Sequence, residues 1–158
     1  KEPPLFVVAG VDRRRNRKAL ESGPFAKAAP HVRFVAAPNQ ANLIALYENA
    51  LGTVMASKLE GWGLPLGESL WLGTPGISAP NSSLTEVGRD LALYFDADSP
   101  RELAEIFDKC MNDPAFYTAL KKRVVSARPH LRSWKDVASD VLKTLKSTRN
   151  SPAKLAAE

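Results

Sequence analysis

Apolar residues in this chain come in short blocks separated by polar, helix-spaced stretches. Leu5-Phe-Val-Val-Ala-Gly10 is a continuous apolar run closed by glycine. That is the pattern of a strand covered on both faces in a parallel sheet. A basic cluster from Arg13 to Lys18 then opens a helix running towards Ala28, and Pro30 stops it. Val32-Arg-Phe-Val35 reads as a second strand between Pro30 and Pro38. From Asn39 to Ala50 the apolar positions fall at 43, 44, 46, 47 and 50, the spacing of a helix. Gly52 to Ala56 is a third strand, followed by a glycine-rich turn and a helix over Pro65 to Leu72. Proline at a first helical position sacrifices no hydrogen bond. Gly73-Thr-Pro75 closes that helix, and Pro75 to Ala79 is a fourth strand.

Asn81-Ser-Ser83 caps a short helix through Glu86 and Val87, and Leu91 to Phe95 is a fifth strand. Ser99-Pro-Arg-Glu102 fits a capping box for a helix reaching Met111, and Asp113-Pro114 repeats the cap-then-proline signal. A last helix starts at Ser133 and ends near Lys146, with a loose polar tail over 147–158. Strand and helix alternate five times with short connections. This predicts an α/β domain over 1–146, an open parallel sheet with helices on both faces. No internal repeat or low-complexity segment interrupts it.

Composition narrows the picture. A chain of 158 residues with 44% hydrophobic content fits one domain with a real core. Cys110 is the single cysteine, so no internal disulfide can form, and a reducing, cytoplasmic setting is the natural expectation. No apolar run approaches the ~20 residues of a membrane span. The chain opens on Lys1, and KEPPLFVVAG lacks the basic-then-apolar design of a secretory signal. A fragment of a longer chain, or a processed product, is the expectation. The net charge of +5 suits an anionic ligand or peripheral contact with an anionic membrane face.

The chemistry concentrates at Glu60-Gly-Trp-Gly-Leu-Pro-Leu-Gly-Glu68. Ligands of open parallel sheets bind beyond the carboxyl ends of the strands, and this turn leaves the third strand directly. Gly61 and Gly63 let backbone approach a ligand closely. The start of the following helix offers unpaired amides and a positive dipole end, an anion site suited to phosphate. The carboxylates of Glu60 and Glu68 repel phosphate and suit hydroxyls. Phosphate on the amides and sugars on two carboxylates together describe a sugar nucleotide.

The same residues resemble the Glu-x7-Glu motif of retaining glycosyltransferases of the GT-B fold, family 4. EGWGLPLGESL followed by Gly73-Thr-Pro75 is close to that family's wording. In the family's order stand also Val32-x-Phe34, Leu46-Tyr47, Ser57, Glu86-Val87, Leu93-Tyr-Phe-Asp96 and Ser133-Trp134. The resemblance covers roughly residues 5 to 145. It implies the Rossmann-like, carboxyl-terminal donor-binding half of such an enzyme. Glu68 would accept from the nucleotide ribose, and Glu60 would lie beside the donor hexose near the anomeric carbon. The amides of Trp62, Gly63 and Leu64 would hold hexose hydroxyls or the diphosphate. Backbone at Ala36-Ala-Pro38, meaning Ala36 and Ala37, would hold the base. No metal and no cofactor are implied. The expected partners are a nucleotide-sugar donor and an amino-terminal acceptor domain. That domain, and an Arg and a Lys for the diphosphate, do not fall within these residues. The turn's wording resembles bacterial enzymes of surface and lipopolysaccharide biosynthesis, many of them mannosyltransferases. A nucleotide-sugar epimerase, a phosphorylase or a non-catalytic binding module on the same fold are the alternatives.

Several features have a plainer reading. Trp62 is expected to be a packing aromatic whose backbone alone serves the site. Asp96-Ala-Asp98 imitates a metal signature but reads as a turn before the Ser99 cap. His31 and His130 lack partners at ligand spacing, and Cys110 reads as core. The Arg13–Lys18 cluster reads as a solvated helix face that lacks the interleaved aromatics of a single-strand nucleic-acid binder. Its sharper readings are anionic lipid or the donor diphosphate.

Overall fold

The computed structural model describes residues 3–10, 14–22, 24–81 and 83–150. Five parallel strands alternate with helices: β1 (Phe6–Gly10), α1 (Arg14–Ser22), β2 (Val32–Ala36), α2 (Gln40–Asn49), β3 (Thr53–Met55), α3 (Leu64–Trp71), β4 (Gly76–Ser78), α4 (Ser83–Gly88) and β5 (Ala92–Tyr94). Three more helices follow, α5 (Pro100–Asn112), α6 (Pro114–Ala127) and α7 (Trp134–Asn150). The α/β class and the parallel direction expected from the sequence are both present.

The strands form two sheets. β1 pairs with β2, Phe6 opposite Val32 and Gly10 opposite Ala36. β3, β4 and β5 pair in sequence order, Thr53 opposite Gly76 opposite Ala92. One continuous sheet was the expectation, with β1 buried on both faces. Instead every residue of β1 is exposed, Val8 at 48%. β1 has a strand beside it on one edge only among the described residues, and its apolar run is covered in part, as where Phe6 meets the Phe107 ring edge-on at 5.2 Å.

The core lies over the second sheet. Leu66 and Leu70 of α3, Leu84 of α4, Leu91, Ala92 and Val124 of α6 form one buried cluster. Each such leucine contributes roughly 1.5–3 kcal/mol by leaving water. α3 sits directly on β3 and β4, and the fit is tight. A Cβ on Gly76 would overlap Leu66 Cδ1, so glycine is what lets α3 lie this close. Capping places the helix starts. The side chains of Asn39, Ser99 and Asp113 accept from the amides of Asn42, Glu102 and Phe116.

Local departures have local causes. The helix expected to run to Ala28 ends at Ser22, and a 3₁₀ helix, Ala26–His31, carries the chain through Pro30. His31 therefore ends that 3₁₀ helix and does not start the strand. Arg13 lies outside the described residues. Pro65 is the second residue of α3, whose first is Leu64. Glu102 accepts from Asp96 N–H at 2.8 Å, while Ser99 N–H donates to Asp96 C=O, so the box is one-sided. α7 continues past Lys146 to Asn150; residues 151–158 lie outside the described residues.

Candidate active site

The loops leaving β3, β4 and β5 are laced together at the carboxyl end of the sheet. Asn81 Nδ2 donates to Ser57 C=O at 2.6 Å, joining the loop after β4 to the loop after β3. Ser83 Oγ, at the start of α4, donates to Glu60 C=O at 3.1 Å. Lys58 Nζ bonds Asp98 Oδ2 at 2.6 Å, bringing in the loop after β5. Both ends of that ion pair are exposed, so it contributes at most about 1 kcal/mol. Its weight is positional: it holds two loops at one distance.

Within this frame the glycine turn enters α3. Gly63 is the cap residue, left-handed at φ 83°, ψ 45°. Its carbonyl accepts from both Leu66 N–H (3.0 Å) and Gly67 N–H (3.2 Å). Pro65 has no amide to give. The amides of Trp62, Gly63 and Leu64 thus precede the first intrahelical hydrogen bonds, with the helix dipole behind them. Gly63 itself is buried, and the chain turns inward there. That inward step leaves the neighbouring side chains outside: Trp62 is 60% exposed and Leu64 50%. The expectation of Trp62 as a packing aromatic is therefore corrected, since its indole stands at the surface beside the turn. Gly61 differs from Gly63, because a Cβ there would meet nothing within 4 Å.

In the chain, Glu60 precedes these amides and Glu68 follows them. Glu60 is half-buried in the loop, and Glu68 is exposed on the second turn of α3. Glu68 Oε2 accepts a hydrogen bond from Tyr47 OH at 3.0 Å. Burial, and then the bond to Glu68 and its charge, hold the Tyr47 phenol protonated far above its usual range. Tyr47 is thus a donor at any physiological pH. Ala36 and Ala37 stand at the carboxyl end of the other sheet. Ala36 is the last residue of β2 and not part of the turn. Ala37 adopts φ 42°, a conformation costly for a residue with a Cβ, and its N–H donates to Gly10 C=O at 2.8 Å. The Ala37 amide is thus engaged within the protein, and both alanines are exposed.

A concave cleft of about 430 Å³ opens between the loops after β3, β4 and β5, beside Lys58, Asn81, Asp96 and Asp98. Glu60 and Glu68 are not among its lining residues. Asn81 Oδ1 is buried there with no hydrogen bond among the described residues. Asp96-Ala-Asp98 is a turn: Asp96 Oδ1 accepts from Asp98 N–H, and Asp98 pairs with Lys58. Among the described residues no three His, Cys, Asp or Glu side chains gather as a metal would need. Cys110 is buried, and burial pushes its thiol up, away from thiolate chemistry. In the basic cluster, Arg17 lies 4.9 Å from the Phe34 ring centre. Among the described residues no helix is long and apolar enough to cross a membrane.

Sequence reasoning overlooked the residues that hold the turn. Asn81 and Ser83 act through space, from the loop after β4 and the start of α4, which sequence spacing does not align with the turn. Tyr47 carried a signal: a tyrosine on the apolar side of a helix needs a partner for its hydroxyl. No curated protein matches the chain. The family described as glycosyl transferases group 1 matches residues 1–126, from before β1 almost to the end of α6. With that match spanning most of the chain, the protein belongs to the group 1 glycosyl transferases.

Proposed function

We propose that this chain is the donor-binding domain of a retaining hexosyltransferase, an enzyme that moves a hexose from a nucleoside diphosphate sugar to a glycan or lipid-linked acceptor; alone, the domain binds nucleotide weakly and transfers little or nothing. The observation that carries the reading is the arrangement at α3. Amides from Trp62 to Leu64 stand at a helix start, with Glu60 before them in the chain and Glu68 on the second turn of that helix. In this reading the amides and the dipole take the diphosphate and offset the charge it gains as leaving group. Glu60 holds a hexose hydroxyl and faces the positive charge developing at the anomeric carbon. Glu68 accepts from the ribose. Ala36 and Ala37 hold the base through backbone carbonyls. The open space at Gly61 supports this, since among the described residues nothing lies within 4 Å of where a Cβ would stand. No metal or cofactor has a role in this scheme. An amino-terminal acceptor domain completes the cleft, and the setting is cytoplasmic, with peripheral membrane contact. The wording EGWGLPLGESL favours mannose and surface-polysaccharide assembly as the first donor and pathway to test.

The test is an NMR titration with UDP, GDP and ADP. The expected outcome is that one of them shifts the amides of Trp62, Gly63 and Leu64. No shift at 60–68 with any nucleotide sinks the reading. In the full polypeptide, Glu60→Gln is expected to lower kcat by roughly 10²–10³. Unchanged turnover would make the turn structural.

A further inference from the structure

Tyr47 and Glu68 sit on different helices, yet a closed circuit of bonds joins them. The Tyr47 hydroxyl donates to Glu68 Oε2 at 3.0 Å. The Tyr47 carbonyl accepts from Thr74 Oγ1 at 2.7 Å. The Thr74 carbonyl accepts from Ser69 Oγ at 2.9 Å, and Thr74 N–H donates to the Ser69 carbonyl at 2.9 Å. Ser69 follows Glu68 in the chain, which closes the ring. Ser69 and Thr74 are fully buried, and Tyr47 is 9% exposed. Glu68 is the exposed member. A buried, rigid circuit thus ends on one oxygen of a surface carboxylate. A surface glutamate would otherwise sample many rotamers, and ordering it costs binding energy. The tyrosine spends that ordering in advance and leaves Oε1 as an acceptor towards a ligand.

We infer that Tyr47 is the positioning residue for Glu68 and so sets how strongly the site prefers a ribonucleotide to one lacking the ribose hydroxyls. The inference rests on the reading of Glu68 as the ribose carboxylate. Tyr47 touches no ligand; it fixes the group that does. Removing its hydroxyl costs affinity for the ribose diol and leaves affinity for base and diphosphate unchanged.

The experiment is calorimetric binding to the full chain of UDP, GDP and ADP, each beside its 2′,3′-dideoxy counterpart, for wild type, Tyr47→Phe, Glu68→Ala and the double variant. The wild type is expected to prefer the ribonucleotide, and Glu68→Ala to abolish the preference. Tyr47→Phe is expected to reduce that preference about five- to tenfold, with dideoxynucleotide affinity unchanged. The double variant is expected to match Glu68→Ala alone. A wild-type preference retained in Tyr47→Phe overturns the inference. So does an equal loss of ribo and dideoxy affinity, which would mark a purely structural tyrosine; the dideoxy compound serves as the folding control. A preference that survives Glu68→Ala, or its absence in the wild type, overturns the ribose reading itself and the inference with it.

Discussion

A Cβ placed on Gly63 would lie 2.5 Å from Leu84 Cδ2, and the residue's φ of 83° strains any side chain. At Gly61, two residues away, a Cβ would meet nothing. The same substitution therefore gives opposite readouts. Gly63→Ala is expected to destabilise by roughly 2–4 kcal/mol, adding left-handed strain to overlap with a buried leucine. Gly61→Ala is expected to stay within about 0.5 kcal/mol of wild type. If the turn binds the donor as proposed, the loss is expected in nucleotide affinity instead. Urea denaturation and nucleotide titration of both variants check this. Equal stability losses would mean that Gly61 also serves the fold. Both glycines and both glutamates were legible in the sequence, because their spacing along one turn and one helix start is fixed by the chain itself. The partners of Glu68 and Glu60 were not. Tyr47 and Ser83 lie more than twenty residues away, and only packing of α2, α3 and α4 brings them in.

The same contrast holds for elements. The caps at Ser99 and Asp113 were legible because they are local, although the Ser99 box is one-sided. At the start of α7, the Ser133 hydroxyl and N–H both donate to Asp136 Oδ2, at 2.6 and 2.7 Å, while Asp136 N–H points back to Ser133. These bonds hold the Asp136 carboxyl below its usual value of 3.8. A depressed folded value means that the stability from this cap is complete above the unfolded value and lost as pH falls through the folded one. Asp136→Asn is therefore expected to lower the denaturation midpoint at neutral pH and to converge with wild type in strong acid. Parallel curves at all pH values would show that the cap carries no linked proton. Packing partners read poorly by comparison. α7 leaves Val141, Leu142 and Leu145 exposed, although its pattern is amphipathic. Periodicity shows that a face is apolar and says nothing of what meets it.

At the scale of the molecule, the alternation of strand and helix was legible because each βαβ unit announces itself over about thirty residues. The division into two sheets was not. A block such as Leu5–Gly10 reports that a strand favours burial on both faces, and the sequence cannot say which neighbours arrive. Each sheet closes its own hydrogen bonds, so β1 and β2 can open without breaking a rung among β3, β4 and β5. Amides of Val32–Ala36 are expected to exchange with solvent at least tenfold faster than those of Gly76–Ser78, an opening cheaper by ~1.4 kcal/mol. Hydrogen exchange followed by NMR checks this, and equal protection would show that both halves open together. The turn after β2 and the turn after β3 belong to different sheets. In the proposed reading, a nucleotide reaching from Ala36–Ala37 to Trp62–Leu64 would bind the state in which both halves are closed, and part of its affinity would surface as slower exchange in β1. In that sense the substrate would supply cooperativity that the backbone ladder does not.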